Sequence, residues 1–136
     1  MRDARSHAGA VGLMQLLPNT ARRVARKEGI ERLATPRLLD PRTNIRLGTR
    51  YLGDLVKRFG HPLLAIASYN AGPHRVEKWL PREAVRDATL WVESIPFQET
   101  RNYVKRIAYY RVIYARMLDK PVRMSDFFEP VDRVRR

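Results

Sequence analysis

The sequence predicts an all-α domain, and three observations carry that prediction. Apolar residues recur at helical spacing through most of the chain. No sustained period-2 alternation and no Asn-Gly or Asp-Gly hairpin turn appears. Proline and glycine stand where the periodic stretches start and stop.

Taken in order, Val11 to Leu17 is a short apolar stretch, and Pro18-Asn19-Thr20 opens a basic helix through about Lys27. Gly29 to Leu39 reads as a loop. Asp40-Pro41 then places an N-cap before a proline at the first helical position, where a missing N–H costs nothing. From there Ile45, Leu52, Leu55, Val56 and Phe59 form one stripe with Tyr51 beside it, and Gly60 is the stop. His61-Pro62 restarts the chain. Leu63-Leu64-Ala65-Ile66-Ala67 is apolar on every side, so this helix is expected to be buried all round.

Gly72-Pro73 breaks that helix, and a short one around Val76 to Leu80 ends at Pro81. Ala88 to Val92 forms another turn or two. After Pro96 comes the longest periodic stretch. Tyr103, Ile107, Tyr110, Tyr114, Met117 and Leu118 make one face of it, and Arg101, Lys105, Arg106, Arg111 and Arg116 lie mostly elsewhere. Beyond Pro121 the chain reads as irregular. No repeat and no low-complexity segment is present.

A length of 136 residues supports one domain with a core, and 44% apolar with 30% charged residues marks a globular chain. No apolar run approaches the ~18–20 residues of a membrane-spanning helix, and Met1-Arg2-Asp3 leads into no signal-peptide core. The absence of cysteine excludes a disulfide framework, a thiol nucleophile and a Cys-based zinc site. Lys and Arg number 27 against 14 Asp and Glu, a net +13. That excess suits a polyanionic partner (nucleic acid, an anionic membrane surface or an acidic cell-wall polymer) or simply a solvated basic surface.

The three histidines, His7, His61 and His74, share no metal-ligand spacing, and no glycine loop precedes a Lys-Ser/Thr pair, so neither a zinc or iron site nor a phosphate-binding loop is expected. Ser68 and His74 lack the strained turn of a nucleophile elbow. Among the carboxylates Glu93 differs, because Trp91-Val92-Glu93-Ser94-Ile95-Pro96-Phe97 surrounds it with large apolar neighbours. Burial there would raise its pKa and suit it to donate a proton, or it is a buried Glu satisfied by Arg or backbone N–H groups. Gly12-Leu13-Met14-Gln15 and Ser68-Tyr69-Asn70-Ala71-Gly72 place amides and a phenol in apolar surroundings. Such groups suit hydroxyl- and acetamide-bearing sugars. Gln15 reads equally as a surface amide, and Asn70 as a helix C-cap.

Together these segments resemble the catalytic domain of the soluble lytic murein transglycosylases, which has a goose-type lysozyme-like, all-α fold. The matching pieces are Ser6, Gly9-Ala10-Val11-Gly12-Leu13-Met14-Gln15-Leu16 with Pro18 and Thr20, and Leu39-Asp40-Pro41 with Asn44-Ile45. Gly48-Thr49-Arg50-Tyr51-Leu52, Ala67-Ser68-Tyr69-Asn70-Ala71-Gly72-Pro73, Val92-Glu93-Ser94-Ile95-Pro96-Phe97 and Glu99-Thr100-Arg101-Asn102-Tyr103-Val104 follow in the same order.

The resemblance implies a transglycosylase domain over residues 1–120 and a tail over 121–136. It implies non-hydrolytic cleavage of the bond between N-acetylmuramic acid and N-acetylglucosamine in peptidoglycan, giving 1,6-anhydro ends, in the periplasm or cell envelope. It assigns Met14, Gln15, Tyr69, Asn70, Glu93 and Tyr103 to the saccharide groove, with no metal or cofactor. It also places the family's single catalytic Glu, in a Glu-Ser pair, before Met1. On that expectation the chain lacks the first helix and the proton donor and is inactive or nearly so; apolar surface at Leu13 and Leu16 would be left uncovered. Peptidoglycan is the expected partner of a monomer, with no nucleic acid. A murein-binding module without catalysis shares every one of these features, and a basic helical nucleic-acid binder is the third reading.

Overall fold

The computed structural model describes residues 9, 10, 12, 14–82, 85–120 and 129–132. Ser6, Val11, Leu13, the side chain of Tyr114 and the tail residues 121–128 and 133–136 lie outside that description. The chain divides into two units, Met1–Asp54 and Leu55–Arg136, and the division falls within the third helix.

The first unit holds α1 (Pro18–Lys27), α2 (Thr35–Leu39) and most of α3 (Pro41–Phe59). Its buried apolar side chains include Leu16, Val24, Leu33, Leu38, Leu47 and Tyr51. Leu16, expected to be uncovered, is only 1% exposed. The stretch read as a loop contains α2, five residues with a proline in the first turn and Leu38 buried. A single helical turn is too short to leave a periodic signal, which is why the sequence hid it.

Asp40 caps α3 as expected: its Oδ2 accepts from the Thr43 backbone N–H at 3.1 Å and from Thr43 Oγ1 at 3.2 Å. The buried face of α3 is rotated from the predicted stripe. Asn44, Leu47, Gly48, Tyr51, Leu55 and Phe59 are buried, whereas Ile45 and Val56 are exposed. Polar and small residues take part in this face, so counting only large aliphatics misplaced it.

The second unit comprises the end of α3, then α4 (Pro62–Ala71), α5 (Pro73–Trp79), β1 (Val85–Arg86), α6 (Ala88–Glu93), α7 (Gln98–Met117) and β2 (Val131–Asp132). Gly60, at φ +64°, turns the chain out of α3, a conformation that favours glycine. His61 starts α4, its Nδ1 accepting from the Leu63 N–H at 3.1 Å while Nε2 lies 2.7 Å from the Glu129 carbonyl oxygen. The ring therefore donates through Nε2 and accepts through Nδ1. As expected, α4 is buried on nearly every side, with Leu63, Leu64, Ala65, Ala67 and Ser68 all enclosed. It packs against α5 and α7.

No strand was expected, and β1 and β2 form only a two-residue antiparallel ladder, Val85 opposite Asp132 and Arg86 opposite Val131. Two residues are below any periodicity. The face of α7 also departs from the expected one. Thr100, Val104, Ala108 and Ala115 are buried at near-helical spacing, Tyr103 and Ile107 are half-buried, and Tyr110, Met117 and Leu118 are exposed. Small residues face inward here, where α7 packs against α4, so residue size misreported which face is the core.

Candidate functional site

The candidate residues fall on both units. In the first, the segment from Gly12 to Leu16 is held against α3 by one buried amide. Asn44, fully buried, accepts the Met14 backbone N–H through Oδ1 at 2.6 Å and donates from Nδ2 to the Leu38 carbonyl at 3.1 Å. The approach is so close that a Cβ on Gly12 would lie 2.2 Å from Asn44 Nδ2, and Gly12 has φ +77°. A Cβ on Gly48 would lie 2.6 Å from Met14 Cβ. Two glycines thus let the loop lie on the helix.

Met14 is half-buried on this contact and Gln15 is exposed, with φ +48°. Gln15 Nε2 donates to the Gly12 carbonyl at 2.7 Å, and the Gln15 N–H donates to the same oxygen at 3.1 Å. A turn with a left-handed residue at its end fixes the Gln15 amide at the surface instead of leaving it to sample rotamers.

In the second unit the candidates meet α7. Asn70 lies in the last turn of α4, before Gly72 as the actual cap, so the C-cap reading is replaced. Its Oδ1 accepts from Thr100 Oγ1 at 2.7 Å, which leaves the amide N–H₂ as the donor end. Tyr69, the preceding residue, is half-buried. Tyr103, half-buried one turn along α7, has its phenol pKa raised chiefly by burial, with Arg106 acting weakly the other way. It stays protonated, a hydroxyl donor, at neutral pH.

Glu93 corrects the sequence expectation most sharply. It is exposed and forms an ion pair with Lys105 on α7. The Lys105 hydrogen bond, with its charge and that of Arg101, holds the carboxyl below the ordinary range, against a weaker desolvation effect. Glu93 is an ionised acceptor, not a buried acid. A helical residue does not share the side of all its sequence neighbours. Trp91, Val92 and Ile95 turn inward, with Trp91 Nε1 donating to the Trp79 carbonyl at 2.9 Å, while Glu93 turns out. Thr100 and Lys105 were not singled out from sequence. Their partners are 30 and 12 residues away, and no local pattern encodes that.

Ser68 is buried and His74 exposed, and they do not bond to each other. Among the described residues no group of three or more His, Asp or Glu could hold a metal ion.

These features define a helical domain whose second unit carries the Asn70 amide, the Tyr69 and Tyr103 phenols and the Lys105-paired Glu93 carboxylate on α4, α6 and α7. The chain belongs to the transglycosylase SLT domain family, whose model matches residues 1–92; residues 94–122 match the soluble lytic transglycosylase helical domain. The chain is 46% identical over 125 residues to the soluble lytic murein transglycosylase of Escherichia coli K12, covering 89% of this chain and 19% of that protein. It is similar to the structure of an inactive Glu→Gln mutant of lytic transglycosylase Slt from Pseudomonas aeruginosa (TM-score 0.85, 44% identity, 95% of this chain, 22% of the other). It is also similar to the 70 kDa soluble lytic transglycosylase of Escherichia coli (TM-score 0.77, 42% identity, 86% and 19%). The all-α class expected from the sequence is that of these structures. The chain spans about a fifth of the length of the curated relatives it matches.

Proposed function

We propose that this chain is the glycan-binding part of a peptidoglycan lytic transglycosylase working in the cell envelope. Met14, Gln15, Tyr69, Asn70, Glu93 and Tyr103 contact the saccharide. In the reaction, a carboxylic acid protonates the glycosidic oxygen between N-acetylmuramic acid and N-acetylglucosamine as that bond breaks. The same group then takes the proton of the muramoyl C6 hydroxyl as C6 oxygen bonds to C1, closing the 1,6-anhydro ring.

One observation carries the reading: a single helix, α7, orients both the Asn70 amide through Thr100 and the Glu93 carboxylate through Lys105. An oriented amide donor and a fixed anionic acceptor are complementary to acetamido and hydroxyl groups. Glu93 is a substrate ligand in this scheme, because a carboxylate already ionised by Lys105 has no proton to give. Family membership supports murein as the polymer.

The test is to incubate the 136-residue chain with purified sacculi and to measure both retention and release of anhydromuropeptides by mass spectrometry. Retention with little or no release is expected. Release that Glu93→Gln abolishes would make Glu93 the acid and overturn its assignment as a ligand. Absence of retention would overturn the murein reading.

A further inference from the structure

Met14 carries a thioether in the loop that Asn44 holds against α3. Its backbone N–H donates to Asn44 Oδ1 at 2.6 Å, and its side chain lies across Gly48, one helical turn further along. A Cβ on Gly48 would stand 2.6 Å from Met14 Cβ, 2.7 Å from Cγ and 3.0 Å from Cε. The sulfur is bonded to both Cγ and Cε, so it too passes over this bare stretch of helix. Gly48 is buried and Met14 only half-buried, which leaves the Met14 side chain in close contact on one side and open to small solutes on the other.

The chain has four methionines and no cysteine. Thioethers are its only sulfur, and no thiolate of its own competes for an oxidant. Met117, at the end of α7, is 74% exposed, so an oxygen added there is hydrated at once. At Met14 the same oxygen makes an apolar, closely packed side chain polar and chiral. The body of α3 beneath it offers no donor, because N–H groups inside a helix are spent on the carbonyls one turn back. An oxygen left there without a partner is costly, and the turn from Gly12 to Gln15 must lift to hydrate it. The Gln15 amide moves with that turn, since its Nε2 and the Gln15 N–H both bond the Gly12 carbonyl.

We propose that Met14 is an oxidation site, and that its conversion to the sulfoxide by hydrogen peroxide loosens this turn from α3 and lowers glycan binding. A sulfur lone pair attacks one peroxide oxygen, the S–O bond forms and the O–O bond breaks. The departing hydroxide takes the proton left on the transferred oxygen and leaves as water. Sulfur loses two electrons and the peroxide gains them. The inference rests on the murein reading above, in which Met14 and Gln15 contact the saccharide.

The test exposes the chain to graded hydrogen peroxide and maps sulfoxide at each methionine by peptide mass spectrometry. Two readouts follow it: affinity for soluble murein glycan oligomers, and amide hydrogen exchange at Met14. Affinity is expected to fall about fivefold in step with Met14 conversion, the worth of one thioether contact. Exchange at Met14 is expected to quicken about tenfold as the turn opens. Methionine sulfoxide reductase is expected to reverse both changes. Met117→Leu is expected to bind glycan and to respond to peroxide as the parent chain does. Met14→Leu, whatever its starting affinity, is expected to show no further loss on treatment. Met14 left as thioether while Met117 converts fully overturns the inference, as does a loss undiminished in Met14→Leu or a loss without faster Met14 exchange. Glycan binding that survives full Met14 oxidation overturns the inference and keeps the murein reading. An untreated chain that binds no glycan overturns both.

Discussion

Thr100 on α7 donates its hydroxyl to Asn70 Oδ1 on α4 at 2.7 Å, and this bond decides which end of the Asn70 amide faces out. Thr100 is 1% exposed, so its hydroxyl has no water to turn to. Thr100→Val keeps the shape and removes the bond. A loss of about 1–2 kcal/mol in stability is expected, along with several-fold weaker glycan binding. Urea denaturation and glycan titration check the two. Full stability with full affinity would mean the bond orients nothing that matters.

Asn44 bridges the Met14 N–H and the Leu38 carbonyl from a fully buried position. Asn44→Ala strands both backbone groups and is expected to cost about 2–4 kcal/mol. Gly12→Ala combines a clash with Asn44 and a positive φ, and about 1–3 kcal/mol is expected there. Chemical denaturation measures both. Because each acts on the loop holding Met14 and Gln15, glycan affinity should fall by more than the unfolded fraction explains.

Glu28 and Glu93 both have carboxyl pKa values lowered in the folded state. The Arg46 hydrogen bond, aided by Arg50, is the main cause for Glu28, and the Lys105 hydrogen bond is for Glu93. A depressed carboxyl pKa contributes stability above the unfolded-state value, and the contribution disappears as pH falls through the folded one. Stability should therefore decline on the acid side of the ordinary carboxylate range. The slope should be shallower in Glu28→Gln with Glu93→Gln. Both groups are exposed, so added salt should shrink the difference. Denaturation midpoints followed into acid at two salt concentrations test the sign.

His61 joins the start of α4 to the Glu129 carbonyl. His61→Ala removes a helix cap and that link, with an expected cost of about 1–2 kcal/mol. Amide exchange at residues 129–132 should rise more than in α1. Uniform change in both places would assign His61 a general packing role.

Helix starts were the most legible part of the fold. Proline in the first turn marks α1, α3 and α4, and Asp40 caps as its sequence position says, because these signals act within one turn; the same signal at α2 lay in a stretch read as a loop. Which face of a helix is buried was less legible. On α7 the inner residues are Thr100, Val104, Ala108 and Ala115, and only the partner helix explains why small residues are favoured there. Tyr69, Asn70, Gln15 and Glu93 were legible as candidates by residue type. The charge state of Glu93 was not, since Lys105 lies 12 positions away and sets it through space.

The proposed recognition of murein glycan depends on shaped contacts and not on the +13 charge alone. Retention on purified sacculi across a salt gradient, against a DNA duplex of equal charge density, tests it most directly. Sacculus retention is expected to persist at salt concentrations that release the DNA, because counterion release dominates only the latter, and Asn70→Ala is expected to weaken the salt-resistant part. Sacculi and DNA released together, with Asn70→Ala behaving as the parent chain, would contradict it.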